Sequence, residues 1–198
     1  MTALLDSLAA AAADLSDLKR SFALIGGLAV SLRAEPRFTR DADMVVSVSS
    51  DNEAELTVNA LITRGYSVDT VVEQTATGRL ATARLRSRIV NGVIVDLLFA
   101  SSGIETEIAA AAEHLTVARQ LRMPVARVGH LIALKLLSQD SERRRQDLID
   151  LDALKAVATD NDWQLADTAC KLITARGFQR DRDLIGLLLS LRTSSERD

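Results

Sequence analysis

Asp41 and Asp43 stand two residues apart at the mouth of an apolar, β-branched run, Met44 to Val48. In an extended strand, residues i and i+2 project from the same face, so both carboxylates point one way. Held close, they repel, and a divalent cation relieves that repulsion; hard oxygen donors suit magnesium. The plainer reading of such a pair is a polar loop ahead of a strand. Asp96 adds a second signal. It sits inside Val93-Ile94-Val95-Asp96-Leu97-Leu98-Phe99 and is the only charged residue between Ile89 and Ile104. A buried carboxylate without a partner costs several kcal/mol, so it must be paired. An arginine would satisfy it. A metal shared with Asp41 and Asp43 would satisfy it too, and would also account for the first pair.

Gly26-Gly27 follows a short apolar run and precedes a helical segment. Glycines there let backbone N–H groups approach a phosphate, and a helix N-terminus adds a favourable dipole. A plain turn is the alternative. Arg33, Arg37, Thr39 and Arg40 crowd the approach to Asp41, where arginines either neutralise phosphate oxygens or balance the aspartates. Lys135 is the only Lys, Arg, Asp or Glu between Arg127 and Asp140. In an apolar helix it either snorkels to water or reaches a buried anion such as a triphosphate. Arg144, Gln146, Asp147 and Asp150 form a polar cluster that orients Lys135, touches a nucleotide, or is a solvated face. Arg84, Arg86 and Arg88 alternate along one segment opposite Ala81, Ala83, Leu85 and Ile89. This basic stripe suits contact with the phosphates of an acceptor, and it serves equally as edge protection.

The elements that must carry these groups follow from periodicity and turn signals. A helix is expected over residues 2–20, a strand over 21–25, a helix over 28–33 ended by Pro36, and loop over 37–40. Further strands fall at 44–48, 67–72, 80–89 and 93–99, with a helix at 52–64. The Asn91-Gly92 pair predicts an antiparallel hairpin. A helix is expected over 105–113, and Pro124 to Val128 is either a short strand or a helix entry. From Gly129 the chain reads as helices at 130–138, 143–158, 162–175 and 181–191, with Gly177 as the stop after the third. The expected architecture is α/β (α+β): a small mixed sheet with flanking helices and a helical C-terminal half. Residues 1–128 would form a catalytic core and 129–198 a helical region completing a cleft.

Composition bounds the partners. The chain has 198 residues, 47% hydrophobic, with a net charge of only −3, so nucleic-acid contact must come from a local basic patch. Cys170 is alone, which leaves no internal disulfide and points to a reducing, cytoplasmic setting. No apolar run approaches the ~18 residues of a spanning helix. His114 and His130, far apart, are expected to be structural or superficial, and Trp163 and Phe178 to be core.

The segment FALIGGLAVSLRAEPRFTRDADMVV, with GHLIALKLLSQDSERRRQDLIDL farther on, resembles the AbiEii-type nucleotidyltransferases of the DNA polymerase β-like superfamily over about residues 20–155. The resemblance implies a nucleotidyltransferase fold, an NTP substrate and two magnesium ions. It also implies frequent membership as the toxin of a type IV toxin-antitoxin pair, with a cognate antitoxin protein as partner and the acceptor end of tRNA as a candidate acceptor. By position, Asp41, Asp43 and Asp96 become the catalytic and metal-binding carboxylates. Gly26 and Gly27 hold phosphate, and Lys135 and Asp147 fall in the nucleotide site, with Arg40 beside the departing pyrophosphate. Two positions depart from the pattern. Leu28 stands where many members carry Ser, so Thr39 or Arg40 replaces that contact or triphosphate binding is weaker. Gln146 stands where Lys is usual. The competing expectations are a catalytically silent module on the same fold, binding a nucleotide or a protein, and an enzyme that nucleotidylates protein.

Overall fold

A computed structural model describes residues 2–74, 77–90, 92–118, 121–138 and 145–193. Asn91 of the expected turn and Arg143 and Arg144 of the expected third-from-last helix lie outside them. The described residues form α1 (Thr2–Asp17), β1 (Phe22–Leu24), α2 (Gly26–Arg33), β2 (Asp41–Val46), α3 (Asp51–Thr63), β3 (Ser67–Glu73), β4 (Leu80–Arg86) and β5 (Ile94–Leu98). They continue with α4 (Glu105–Ala111), β6 (Glu113–Ala118), β7 (Leu121–Val125), α5 (Val128–Ser138), α6 (Arg145–Val157), α7 (Asp160–Ala175) and α8 (Leu184–Thr193).

The strands make one mixed sheet in the order β3-β4-β5-β2-β1-β7-β6. β2 runs parallel to β5, and β1 parallel to β7; the other neighbours are antiparallel. The expected β4–β5 hairpin is present. Alternation sets the two faces of the central strands. Ala42, Met44, Val95, Leu97, Ala83 and Leu85 are buried on one face, and the opposite face carries the polar residues of β2, β4 and β5. β2 begins at Asp41, three residues before the expected start, because β5 pairs with it from Asp41↔Ile94 onward. The two aspartates therefore belong to the strand itself.

Helix boundaries follow local capping chemistry. Ser50 accepts from the Glu53 N–H to start α3. Thr159 and Asp162 form a reciprocal capping box at α7, so Asp162 is its third residue and not its first, as this motif requires. α8 starts later than expected, at Leu184, with Asp183 accepting from the Gly186 N–H at 2.9 Å. Gly177 ends α7 with φ +80°, the left-handed stop that glycine favours.

One strand was not expected. Glu113–Ala118 (β6) lies at the sheet edge, half of it exposed, and its hydrophobic alternation is the single pair Leu115 and Val117 about Thr116, too short to mark a strand. Its partner β7 contains Pro124, which the sequence marks as a boundary. Proline is tolerated because β1 meets β7 only at Leu24↔Val125, one residue beyond it. Phe178 is buried, Trp163 packs half-buried against the core, and His114 is exposed. Among the described residues no helix is long and apolar enough to cross a membrane.

Candidate active site

The carboxylates meet through sheet register. Asp43 on β2 is the direct partner of Asp96 on β5, and Asp96 is the direct partner of Arg84 on β4. One row thus crosses three strands on a single face, with Asp41 two residues away on the same side of β2. Burial above all, with the charges of Asp96 and Asp41, pushes the Asp43 carboxyl up to about 6 against the lowering pull of Lys135 and Arg84. Mutual repulsion of this kind is what a divalent cation relieves. Hard oxygen donors on adjacent strands fit magnesium.

As the side chains stand, Asp96 gives both oxygens to Arg84: Nε to Oδ1 at 2.9 Å and Nη2 to Oδ2 at 2.6 Å. The arginine partner weighed from sequence is therefore present. Among the described residues no three histidine, cysteine or acidic side chains are grouped closely enough to hold a metal ion. The same bond to Asp96 is the leading reason that the Arg84 guanidinium holds its proton even more firmly than usual.

The face carrying this row floors a cleft of about 940 Å³. Gly26, Gly27, Arg37 and Thr39 line one side, Lys135, Ser138 and Asp147 another, and Thr82, Ser101, Gln179 and Arg180 the remainder. The cleft thus lies between the sheet, the start of α2, the helices α5 and α6, and the loop after α7.

The two glycines have distinct physical reasons. Gly26 has φ +65°, and a Cβ there would fall inside the Asp43 carboxylate; at Gly27 it would fall inside the Arg37 guanidinium. Both glycines therefore let site side chains close down onto the first turn of α2. That turn has no side-chain cap hydrogen bond and no acidic residue of its own; it borders the cleft with the Asp43 carboxylate against Gly26, a negative charge near the positive helix end.

Lys135 does not snorkel to solvent. Its Nζ lies 2.7 Å from Asp147 Oδ1 and 2.7 Å from Asp150 Oδ2. Ser138 donates to Asp147 at 3.1 Å, Gln146 to Asp150 at 3.2 Å, and Arg37 Nη2 to Asp150 at 2.8 Å. Burial opposes ionisation of Asp150, but the bonds from Arg37 and Lys135 outweigh it and hold its carboxyl below the usual range. Asp147 and Asp150 are buried, so they are not a solvated face; they orient the lysine.

The other cations divide. Arg33 bonds the Ala126 and Val125 carbonyls at 2.9 and 3.0 Å and Glu113 at 2.6 Å, tying α2 to β6 and β7 and not to the aspartates. Arg40 is exposed, 5.7 Å from the Phe38 ring centre, and does not line the cleft. In the stripe, Arg86 pairs with Asp69. Arg88 lies past the end of β4, donates to Asp14 at 2.9 Å and rests over Tyr66. Ile89 is exposed instead of facing the core, because the strand stops at Arg86.

Cleft residues that sequence reasoning missed come mostly from two loops. Ser101 and Ser102 follow β5, where Glu105 accepts from both backbone N–H groups at 2.8 and 2.6 Å. Gln179, Arg180 and Asp181 follow Gly177; Arg180 donates to the Ser101 carbonyl at 3.0 Å, and both Arg180 and Asp181 have positive φ. Gly177 was the sole local hint of this loop.

The sequence profile of a family described as "Nucleotidyl transferase AbiEii toxin, Type IV TA system" matches residues 8–196. No curated protein matches at a significant level. Among solved structures, the chain resembles an antigenic nucleotidyltransferase-like protein from Paracoccidioides brasiliensis, with a TM-score of 0.53 and 18% identity over 94% of this chain and 92% of that one. The fold is shared with that protein. Two further solved structures are less similar. The lincomycin-bound lincosamide antibiotic adenylyltransferase LnuA has a TM-score of 0.47 and 12% identity, covering 77% of this chain and 97% of that one. ANT(2″)-Ia in complex with adenylyl-2″-tobramycin has a TM-score of 0.46 and 12% identity, covering 98% and 97%. Both are too distant to bear on substrate.

Proposed function

Because the chain belongs to the AbiEii nucleotidyl transferase family, we propose that it moves a nucleoside monophosphate from an NTP to an acceptor hydroxyl in the cleft over β2 and β5. The observation that carries this reading is the Asp43–Asp96 register with Asp41 on the same strand face, opposite Lys135 across the cleft. The acceptor hydroxyl gives its proton to Asp96 as its oxygen attacks the α-phosphorus in line, the bond from that phosphorus to the oxygen bridging to the β-phosphate breaks, and pyrophosphate leaves.

Asp41, Asp43 and Asp96 would hold magnesium. Two such ions, when bound, would position the triphosphate and lower the pKa of the attacking hydroxyl. The uncapped first turn of α2, at Gly26 and Gly27, receives phosphate oxygens through its N–H groups. Lys135 has three N–H donors; Asp147 and Asp150 occupy two and fix its direction, leaving one for charge developing on pyrophosphate. Thr39, which lines the cleft, takes the contact that a hydroxyl at Leu28 would give; Arg40 reaches it only by leaving Phe38. Residues 1–128 supply the carboxylates and the phosphate-binding turn. Residues 129–198 supply the lysine and the loop from Gly177 to Asp181 that completes the cleft wall.

We further assign the chain the toxin role of its family, with tRNA as acceptor and an antitoxin protein as partner. Arg86 is the member of the β4 stripe best suited to an acceptor phosphate, since its partner Asp69 also lies on the periphery. One competing reading has an observation in its favour: the Arg84–Asp96 pair neutralises the third carboxylate and would suit a silent nucleotide-binding module. Incubation with labelled NTPs, magnesium and either total RNA or total protein separates these. Labelled RNA that disappears with EDTA supports the transferase; a labelled protein band moves the acceptor to protein; nucleotide binding without transfer to either leaves the silent module.

A further inference from the structure

The row Asp43–Asp96–Arg84 holds a cation already. We propose that Arg84 is a resident counter-ion of the third carboxylate, which a divalent metal must displace before the site is complete. This rests on the metal-dependent reading above. Asp96 cannot stand buried and ionised with nothing opposite it, since an uncompensated buried charge is strongly destabilising. Register supplies the partner, because Arg84 is directly across the β4–β5 pair on the same face. The guanidinium fork takes both carboxylate oxygens, the strongest form of such a pair. The fork thereby takes one lone pair on each oxygen and sets a fixed positive charge beside any cation shared with Asp43 and Asp41.

The two partners differ in freedom. The Asp96 side chain is 10% exposed and the Arg84 side chain 46%. Asp96 is held by the central strand, whereas Arg84 reaches in from solvent. Among the described residues Arg84 has no other hydrogen-bond partner, while its neighbours Arg86 and Arg88 are paired with Asp69 and Asp14. A metal arriving between Asp43 and Asp96 adds positive charge beside the guanidinium, so the two cations exclude one another. Arg84 thus keeps the metal-free protein folded and weakens its grip on metal. It is a positioning residue: it acts through Asp96.

The test is Mn²⁺ binding to the full chain without nucleotide, followed by electron paramagnetic resonance of free Mn²⁺, on wild type, Arg84→Gln, Arg84→Lys and Asp96→Asn. Arg84→Gln should tighten Mn²⁺ binding by about five- to tenfold, the scale of a lost, partly exposed, bidentate pair. Arg84→Lys, a point charge without the fork, should fall between it and wild type. If Arg84→Gln does not fold by circular dichroism, the Arg84→Lys shift decides. Equal or weaker Mn²⁺ binding in the folded Arg84 variants, with wild-type binding that Asp96→Asn abolishes, overturns the counter-ion role and spares the metal site. Absence of Mn²⁺ binding in wild type and in both Arg84 variants overturns both.

Discussion

Gly26 concentrates the demands of the site in one residue. Its backbone is left-handed and its missing side chain is where the Asp43 carboxylate sits. For Gly26→Ala, the left-handed backbone costs about 1–2 kcal/mol, and the Cβ must also push Asp43 off its position. The expected result is a protein that still folds, with a lower Tm, but loses Mn²⁺ binding at least tenfold; circular dichroism melts and Mn²⁺ titration check it. Gly78, whose φ is +65° with nothing within 4 Å of an added Cβ, is the control. Gly78→Ala should pay the backbone term alone and keep Mn²⁺ binding. The aspartates were legible in the sequence because a charge inside an apolar strand demands a partner. The identity of each partner was not. Arg84 is opposite Asp96 only through register, and Arg37 reaches Asp150 across 113 positions of sequence.

At the scale of elements, Arg33 precedes the acidic pair and was open to two readings, a phosphate ligand or a counter-charge to the aspartates. It is a strut from α2 to β6 and β7. Arg33→Ala leaves two backbone carbonyls without their donor and should lower stability by about 2 kcal/mol, measured by urea unfolding, with Mn²⁺ affinity unchanged. A loss of Mn²⁺ binding in the folded variant would return it to the site. His130 on α5 gives a pH test. Burial, then the charge of Arg127, lowers its pKa to about 4 from 6.5, and Nδ1 is buried without a hydrogen-bond partner among the described residues. Between these values the unfolded chain binds more protons than the folded one, so stability falls as pH drops from about 7 toward 4. From pH 7 to 5 the loss from this group is about 2 kcal/mol. His130→Gln should remove that part of the slope; an identical slope in the variant would mean that the imidazole is not buried neutral. Long helices and central strands could be read because their periodicity is imposed by one buried face. β6 could not, because its imprint is the single alternating pair Leu115 and Val117 at the sheet edge.

Over the whole molecule, the cleft joins segments from residue 25 to residue 181. The sheet floor was legible, since Asp41, Asp43 and Asp96 are signalled locally. The wall built from Gln179 and Arg180 was not, because a polar loop after a helix looks the same whether it faces solvent or substrate. With a net charge of −3, the proposed RNA acceptor would have to be held locally, and Arg86 is the residue proposed for it. Arg86→Glu should raise the apparent KM for RNA several-fold without altering KM for NTP; an unchanged RNA KM removes Arg86 from the acceptor surface. The central claim is that three strand carboxylates perform nucleotidyl transfer. The direct measurement is incorporation of labelled NTP into the acceptor by wild type and by Asp96→Asn, both shown to be folded by circular dichroism. Wild type should label the acceptor in magnesium and Asp96→Asn should leave it at background. Asp96→Asn labelling at the wild-type rate would contradict the account.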